Sequence, residues 1–232
     1  MPMLLDLHIR KMLRTGKRSF HLDVRMQSDS SRIVLMGPSG SGKSLTLKAI
    51  AGLLRPDTGH VRVAGETLFD AASRIDLSSQ ARRTAYVFQD YALFPHLTVR
   101  QNIAFPLLRG WLNPRQNVQH AAVDYWLDAL HLTQVAQQRP ESLSGGQRQR
   151  TALARALVVE PRMLLLDEPF AAVDPVLRVE MRTELDALQR RLQVPMLLIT
   201  HDHDDATAFG GHVFTVKDGC VVDQAPSAQP PH

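Results

Sequence analysis

The sequence is poor in several things, and each shortage excludes something. One cysteine, Cys220, stands among 232 residues, so no disulfide can close within the chain. An intracellular setting fits, with Cys220 read as an idle thiol. No apolar run approaches the ~20 residues that a helix needs to cross a bilayer. The start is unlike a signal peptide, because Met3-Leu4-Leu5 is broken by Asp6, His8 and Arg10. A role at a membrane is therefore expected to come through a partner. Charge of one sign is also scarce: 27 Lys and Arg face 23 Asp and Glu, a net +4. That surplus is mild and evenly spread, without the basic stripe of a nucleic-acid binder. There is no internal repeat. The one stretch of low complexity, QAPSAQPPH from Gln224 to His232, is expected to fray.

What is present is ordinary globular composition, 44% hydrophobic and 22% charged. Ile33 to Met36 reads as a short buried strand, followed by a Gly-rich loop and a helical stretch, Leu45 to Ile50. Val61-Arg62-Val63 with Gly65 suggests a small antiparallel sheet, and Tyr86-Val87-Phe88 another strand. From about 90 to 158 the pattern is helical, interrupted by Pro95, Pro106, Pro114 and Pro140. Met163 to Leu166 is continuously apolar, as a strand buried on both faces should be. A helix from about Pro175 to Leu192 and a buried strand from Met196 to Thr200 follow. The pattern predicts an α/β core (1–89 and 159–223) with an inserted helical lobe (90–158) and a tail (224–232) in one cooperative body.

Gly37-Pro38-Ser39-Gly40-Ser41-Gly42-Lys43-Ser44 fits G-x-x-x-x-G-K-[ST] between a strand and a helix, the context that makes the pattern credible. The glycines let backbone N–H groups converge on one phosphate chain, at a helix N-terminus whose dipole adds positive potential. Lys43 is placed to reach the β- and γ-phosphates, and the Ser44 hydroxyl to ligate Mg²⁺. The chain is expected to bind a nucleoside triphosphate. Leu164-Leu165-Leu166-Asp167-Glu168-Pro169 is an apolar strand ending in two acids, at the strand end where open α/β sheets bind ligands. Asp167 suits Mg²⁺, directly or through water, and Glu168 suits a general base that polarises the attacking water. Leu143-Ser144-Gly145-Gly146-Gln147 precedes a strong helix former, Arg148 to Leu157. From the residues alone it is either a second phosphate-binding helix end or an N-cap with a glycine hinge.

Leu143 to Gln147, standing between the phosphate loop and the Asp-Glu strand, resembles the signature motif of the ATP-binding cassette (ABC) ATPases. Other stations of that family match in order across nearly the whole chain. Gln89 resembles the glutamine that contacts Mg²⁺ and the attacking water beside the membrane subunit. Asp174, in Ala171-Ala172-Val173-Asp174, resembles the aspartate that communicates across the dimer. His201, after Leu198-Ile199-Thr200, resembles the switch histidine that holds the γ-phosphate. The resemblance implies a P-loop NTPase core with a small antiparallel part and an inserted helical subdomain. It implies ATP and Mg²⁺ as cofactors, and a head-to-tail homodimer. Each ATP would lie between the phosphate loop of one copy and Ser144, Gly145 and Gly146 of the other. It further implies permease subunits and an extracytoplasmic solute-binding protein as partners, with the chain on the cytoplasmic face of the inner membrane.

One departure concerns the base. Family members carry an aromatic near the N-terminus that stacks on adenine, and Arg10 to Arg18 has none. Arg14 is a candidate substitute through its planar face, and Phe20 is expected to face the core. Tyr86 to Gln89, Leu93 to Val99 and Leu68-Phe69-Asp70 look most like importer ATPases of the molybdate and sulfate group. Thiamine, iron, polyamine or export systems remain alternatives. No C-terminal regulatory region is seen, so control by a bound anion is not expected. Tyr91 to Leu97, apolar and punctuated by proline, reads either as a groove for a short permease helix or as packing within its own lobe. A soluble ABC ATPase would bring coiled-coil insertions or a second cassette. A P-loop kinase would need an acceptor site and lid arginines. His201 to Asp205 is not read as a metal cluster, because adjacent residues point different ways.

Overall fold

The computed structural model of the protein describes residues 3–16, 18–108, 113–171, 173, 175–209 and 211–226. The chain begins with two strands, β1 (Leu5–Thr15) and β2 (Arg18–Ser28), paired antiparallel. Their basis is strict alternation: Leu5, Leu7, Ile9 and Leu22, Val24, Met26 are buried, with Asp6, His8, Asp23 and Arg25 between them. Next come β3 (Arg32–Met36), α1 (Lys43–Ala51), β4 (Thr58–Val63), β5 (Glu66–Asp70), β6 (Ile75–Asp76) and β7 (Thr84–Val87). The helical part follows, with α2 (Val99–Ala104), α3 (Ala121–Ala129) and α4 (Gly145–Leu157). The chain then returns to the sheet through β8 (Met163–Asp167), α5 (Pro175–Leu192), β9 (Met196–Thr200), α6 (His203–Phe209), β10 (His212–Lys217) and β11 (Cys220–Pro226).

The described strands form one 11-stranded sheet in the order β6-β5-β4-β1-β2-β11-β10-β3-β9-β8-β7. The antiparallel part is therefore continuous with the core. Strand β11 joins the halves, antiparallel to β10 and parallel to β2 through the pair Cys220 and Asp23. From β10 to β7 all neighbours run parallel. Parallel strands are buried on both faces, and β3 shows how the core divides. Ile33 and Leu35 join Leu47 and Ile50 of α1 and the antiparallel strands, while Val34 and Met36 join α5, α6 and the helical part. Each such Leu or Ile side chain contributes roughly 1.5–3 kcal/mol through burial.

Proline shapes the helical part as expected. Helix α2 opens on a Thr98–Gln101 capping box and passes into a 3₁₀ turn, Phe105–Leu107, which contains Pro106. Trp126 is buried in the core of this part, whereas Trp111 lies outside the described residues. One expectation is corrected. Gln224, Ala225 and Pro226 do not fray: they continue β11, paired with Phe214, Val213 and His212. Residues 227–232 lie outside the described residues. Cys220 is exposed. Among the described residues, no helix is long and apolar enough to cross a membrane.

The registers of the parallel strands place the site. Met36 is level with Thr200, and Asp167 with Ile199. The loop after β3, the acids ending β8 and the residue after β9 thus emerge side by side at one end of the sheet, where open α/β sheets bind ligands.

Candidate functional site

The loop Gly37 to Gly42 leaves β3 and enters α1 through two backbone conformations open to glycine. Gly37 has φ +147°, and a Cβ there would sit 2.1 Å from the Val216 carbonyl oxygen. Gly42 has φ +106°, and a Cβ would come within 2.7 Å of Leu22 Cδ1. Phe20, half-buried against the core as expected, also lines this tight place. Gly42 caps α1 without a side-chain bond, so the first-turn N–H groups have no such acceptor. The other end of α1 is held by Arg82, which donates to the carbonyls of Ala49 (2.6 Å) and Ile50 (3.0 Å). Burial pushes the Arg82 guanidinium below its ordinary range, with Asp76 pulling the other way.

Lys43 is buried, and its Nζ donates to the carbonyls of Gly37 and Pro38, both at 2.8 Å. It also lies 3.9 Å from Glu168. Burial pushes its ammonium below the ordinary lysine range, opposed by Glu168 and Asp167. The Ser44 hydroxyl donates to Asp167 Oδ1 at 2.9 Å, and the Tyr86 hydroxyl to Asp167 Oδ2 at 2.6 Å. Glu168 adopts φ +47°, a left-handed conformation that costs a non-glycine residue about 1–3 kcal/mol. His201 Nδ1 stands 3.3 Å from Glu168 Oε2, which leaves Glu168 between Lys43 and His201.

These residues fit a nucleoside triphosphate with Mg²⁺. The uncapped N-terminus of α1 offers N–H groups to an anion. Ser44 and Asp167, oxygen donors of the kind a hard cation takes beside phosphate oxygens and water, already touch. Ser41 Oγ, inside the loop, is buried without a hydrogen-bond partner among the described residues.

Other predicted residues stand apart. Gln89 is exposed just beyond β7 and is not hydrogen-bonded to the carboxylates. The chain after it is held from α4, where Arg155 donates to the carbonyls of Tyr91 (2.7 Å) and Ala92 (2.8 Å) and lies over the Phe94 ring. Tyr91 and Leu97 are buried, whereas Ala92, Pro95 and His96 are exposed. Ser144 caps α4 in a capping box. Its Oγ accepts from the Gln147 backbone at 3.3 Å, and Gln147 Oε1 accepts from the Ser144 backbone at 2.9 Å. Leu143 and Gly146 are buried, and Ser144 and Gly145 exposed. Asp174 lies outside the described residues.

The sequence reading missed three things. Tyr86 was seen as a strand residue, with no signal for its bond to Asp167. Arg82 and Arg155 carried no sequence signal for their bonds to backbone carbonyls. Arg178 and Arg182 of α5 bond Asp205, which is 1% exposed and also accepts from the Thr200 hydroxyl at 2.7 Å. Asp205 is thus a structural anchor for the turn that carries His201.

A phosphate loop, an acidic strand end and a histidine shoulder on a parallel sheet define a P-loop nucleotide-binding cassette. The family model described as ABC transporter matches residues 21–171. The chain is 40% identical over 223 residues to the molybdenum import ATP-binding protein ModC of Paramagnetospirillum magneticum, covering 96% of this chain and 59% of that protein. It is 45% identical over 194 residues to the sulfate/thiosulfate import ATP-binding protein CysA of Thermosynechococcus vestitus, covering 84% and 55%. A dimeric post-hydrolysis structure of the ATP-binding cassette MJ0796 bound to ADP and Pi superposes with a TM-score of 0.78. That structure is 29% identical and covers 99% of this chain and 100% of its own. The chain belongs to the ABC transporter family. It spans little more than half the length of these two curated relatives.

Proposed function

We propose that this chain binds ATP with Mg²⁺ and hydrolyses it to power import of a small solute, working as a head-to-tail pair docked on membrane permease subunits. The observation that carries the reading is the convergence of Lys43, Ser44, Asp167, Glu168 and His201 at one end of the parallel sheet.

Mg²⁺, bound with ATP, supplies charge neutralisation on the β- and γ-phosphate oxygens. Ser44 and Asp167 would hold it. Lys43, poised across the loop mouth by the Gly37 and Pro38 carbonyls, turns its ammonium to the phosphates. Glu168 takes a proton from the attacking water. His201, beside Glu168, holds the γ-phosphate and orients the acid. Gln89 and Asp174, carried over from the family pattern, sense the γ-phosphate end and the partner copy.

The second half of the site is the N-terminus of α4. Gly145 and Gly146 have helical backbone, and a Cβ on either would meet nothing nearer than a Leu177 methyl at 3.9 Å. Packing within the chain therefore does not require glycine there. Close approach by a ligand from outside does, and an ATP held by a second copy is that ligand. Import is supported by the names of these two relatives, which specify molybdenum and sulfate or thiosulfate import. We favour an oxyanion cargo, an extracytoplasmic solute-binding protein to deliver it, and a place for this chain on the cytoplasmic face of the inner membrane.

Glu168→Gln tests the chemistry. We expect ATP binding to persist and turnover to fall by about 10²–10⁴-fold, the range for loss of a general base. Unchanged turnover would remove Glu168 from that role. Uptake of labelled molybdate by the membrane complex, competed by sulfate, tests the cargo. Recovery of the native protein with ribosomes or DNA instead of a permease would sink the transport reading and leave the ATPase standing.

A further inference from the structure

We propose that Tyr86 is a positioning residue for the metal: its phenol fixes the Asp167 carboxylate so that Asp167 and Ser44 present their remaining lone pairs to one cation. The inference rests on the reading of Asp167 as the magnesium-side acid.

The register explains how a residue on β7 reaches that acid. Tyr86 is level with Leu165 on β8. Asp167 lies two residues further along β8, on the same face, a diagonal separation within reach of an aromatic side chain. The phenol oxygen meets Asp167 Oδ2 at 2.6 Å, while Ser44 Oγ meets Oδ1 at 2.9 Å. Each carboxylate oxygen thus accepts one hydrogen bond from a hydroxyl and keeps a lone pair. Ser44, donating its O–H to Asp167, likewise keeps lone pairs for a cation. Asp167 is largely buried, and Tyr86 is half-buried with its ring against Phe88 at 4.5 Å. The carboxylate is therefore held at both ends by donors that cannot easily leave.

The support behind Tyr86 is itself anchored. Arg82, just before β7, bonds the last carbonyls of α1, the helix that carries Lys43 and Ser44. One guanidinium thus sets the spacing between the helix that offers Ser44 and the strand that offers Tyr86. Partners that orient a metal ligand in this way commonly govern metal affinity by about 10–100-fold.

Tyr86→Phe keeps the ring and removes the hydroxyl. The experiment titrates Mn²⁺, read by electron paramagnetic resonance, into the full chain with a non-hydrolysable ATP analogue. It is paired with nucleotide affinity measured in EDTA and with a melting curve. We expect the variant, which loses one charge-assisted hydrogen bond, to melt somewhat below the wild type, to bind metal-free nucleotide equally well, and to bind Mn²⁺ about tenfold more weakly. A merely structural tyrosine would move both affinities together, and that outcome overturns the proposal. Wild-type Mn²⁺ uptake with an unmoved variant overturns this inference alone. Absence of Mn²⁺–nucleotide binding in the wild type overturns the nucleotide reading as well.

Discussion

The phosphate-loop end of the sheet and the N-terminus of α4 both offer backbone N–H groups to an anion, yet they are finished to different degrees. At the first, side chains from four segments interlock: Lys43 with its own loop, Ser44 and Tyr86 with Asp167, and His201 with Glu168. At the second, the bonds of Ser144 and Gln147 close on each other, Arg148 returns to the Leu143 carbonyl, and the glycines have room to spare. A site that is complete is recognisable by its partners. A half-site is recognisable by small residues that its own chain does not need. The difference is the one the proposed head-to-tail pair would require, with nucleotide binding in one copy and hydrolysis in two.

The strongest way to break that comparison is to load each half separately. Gly146→Asp places a carboxylate where the second copy's phosphate would arrive. Binding of ATP by the monomer is expected to stay within about twofold, because the substitution lies outside the set that holds it. Hydrolysis should fall by at least ~100-fold, and ATP-induced dimers should vanish from light scattering, since like charges brought together cost several kcal/mol. Lys43→Ala should do the reverse, weakening binding by about 2–3 kcal/mol, the worth of a charge-assisted hydrogen bond. If Gly146→Asp weakens monomer binding as much as Lys43→Ala, the two ends serve one nucleotide in one chain, and the paired reading fails.

A smaller effect sharpens how the complete end is kept in place. Asp205 takes bonds from Arg178, Arg182 and Thr200 while almost wholly buried. Asp205→Ala takes the acceptor from Arg182 and one of two carboxylates from Arg178, which keeps Asp202 at 3.1 Å; breaking a buried pair costs about 3–5 kcal/mol. Denaturant unfolding should register that loss, with turnover falling further than ATP binding because the turn that carries His201 loosens. A loss under ~1 kcal/mol would show that Arg178 and Arg182 are satisfied by solvent and that His201 is positioned by other means.

Much of this was legible in the sequence, for identifiable reasons. The phosphate loop, the Asp167-Glu168 strand end and the Ser144 cap are local patterns, in which the chemistry and the backbone need the same few neighbouring residues. Helix α5 was visible from Pro175 at its start and from its length. The β1–β2 pair carries the period-two alternation of buried and polar residues that marks a half-buried strand. Tyr86, Arg82 and the Arg178–Arg182–Asp205 cluster were illegible for a different reason. Their partners lie 81, 33 and 23–27 residues away, and nothing local distinguishes such an arginine or tyrosine from one that faces water. Composition reports propensity alone and so predicts fraying from Gln224, whereas β10 offers Gln224 to Pro226 a partner.

The smallest test asks whether Ser144 serves its own helix or the absent partner. As an N-cap it accepts from the Gln147 backbone, and Ser144→Ala should cost roughly 1 kcal/mol. In a chain of this size that is about 2–4 °C in melting temperature. If capping were its whole task, Ser144→Asn, itself a good cap, would restore stability and hydrolysis together. If the hydroxyl also meets the second copy's phosphate, Ser144→Asn would restore the melting temperature while ATP-driven pairing stays weak. The half-site reading requires that second outcome, because a residue bonded only within its own helix gains nothing from a neighbour.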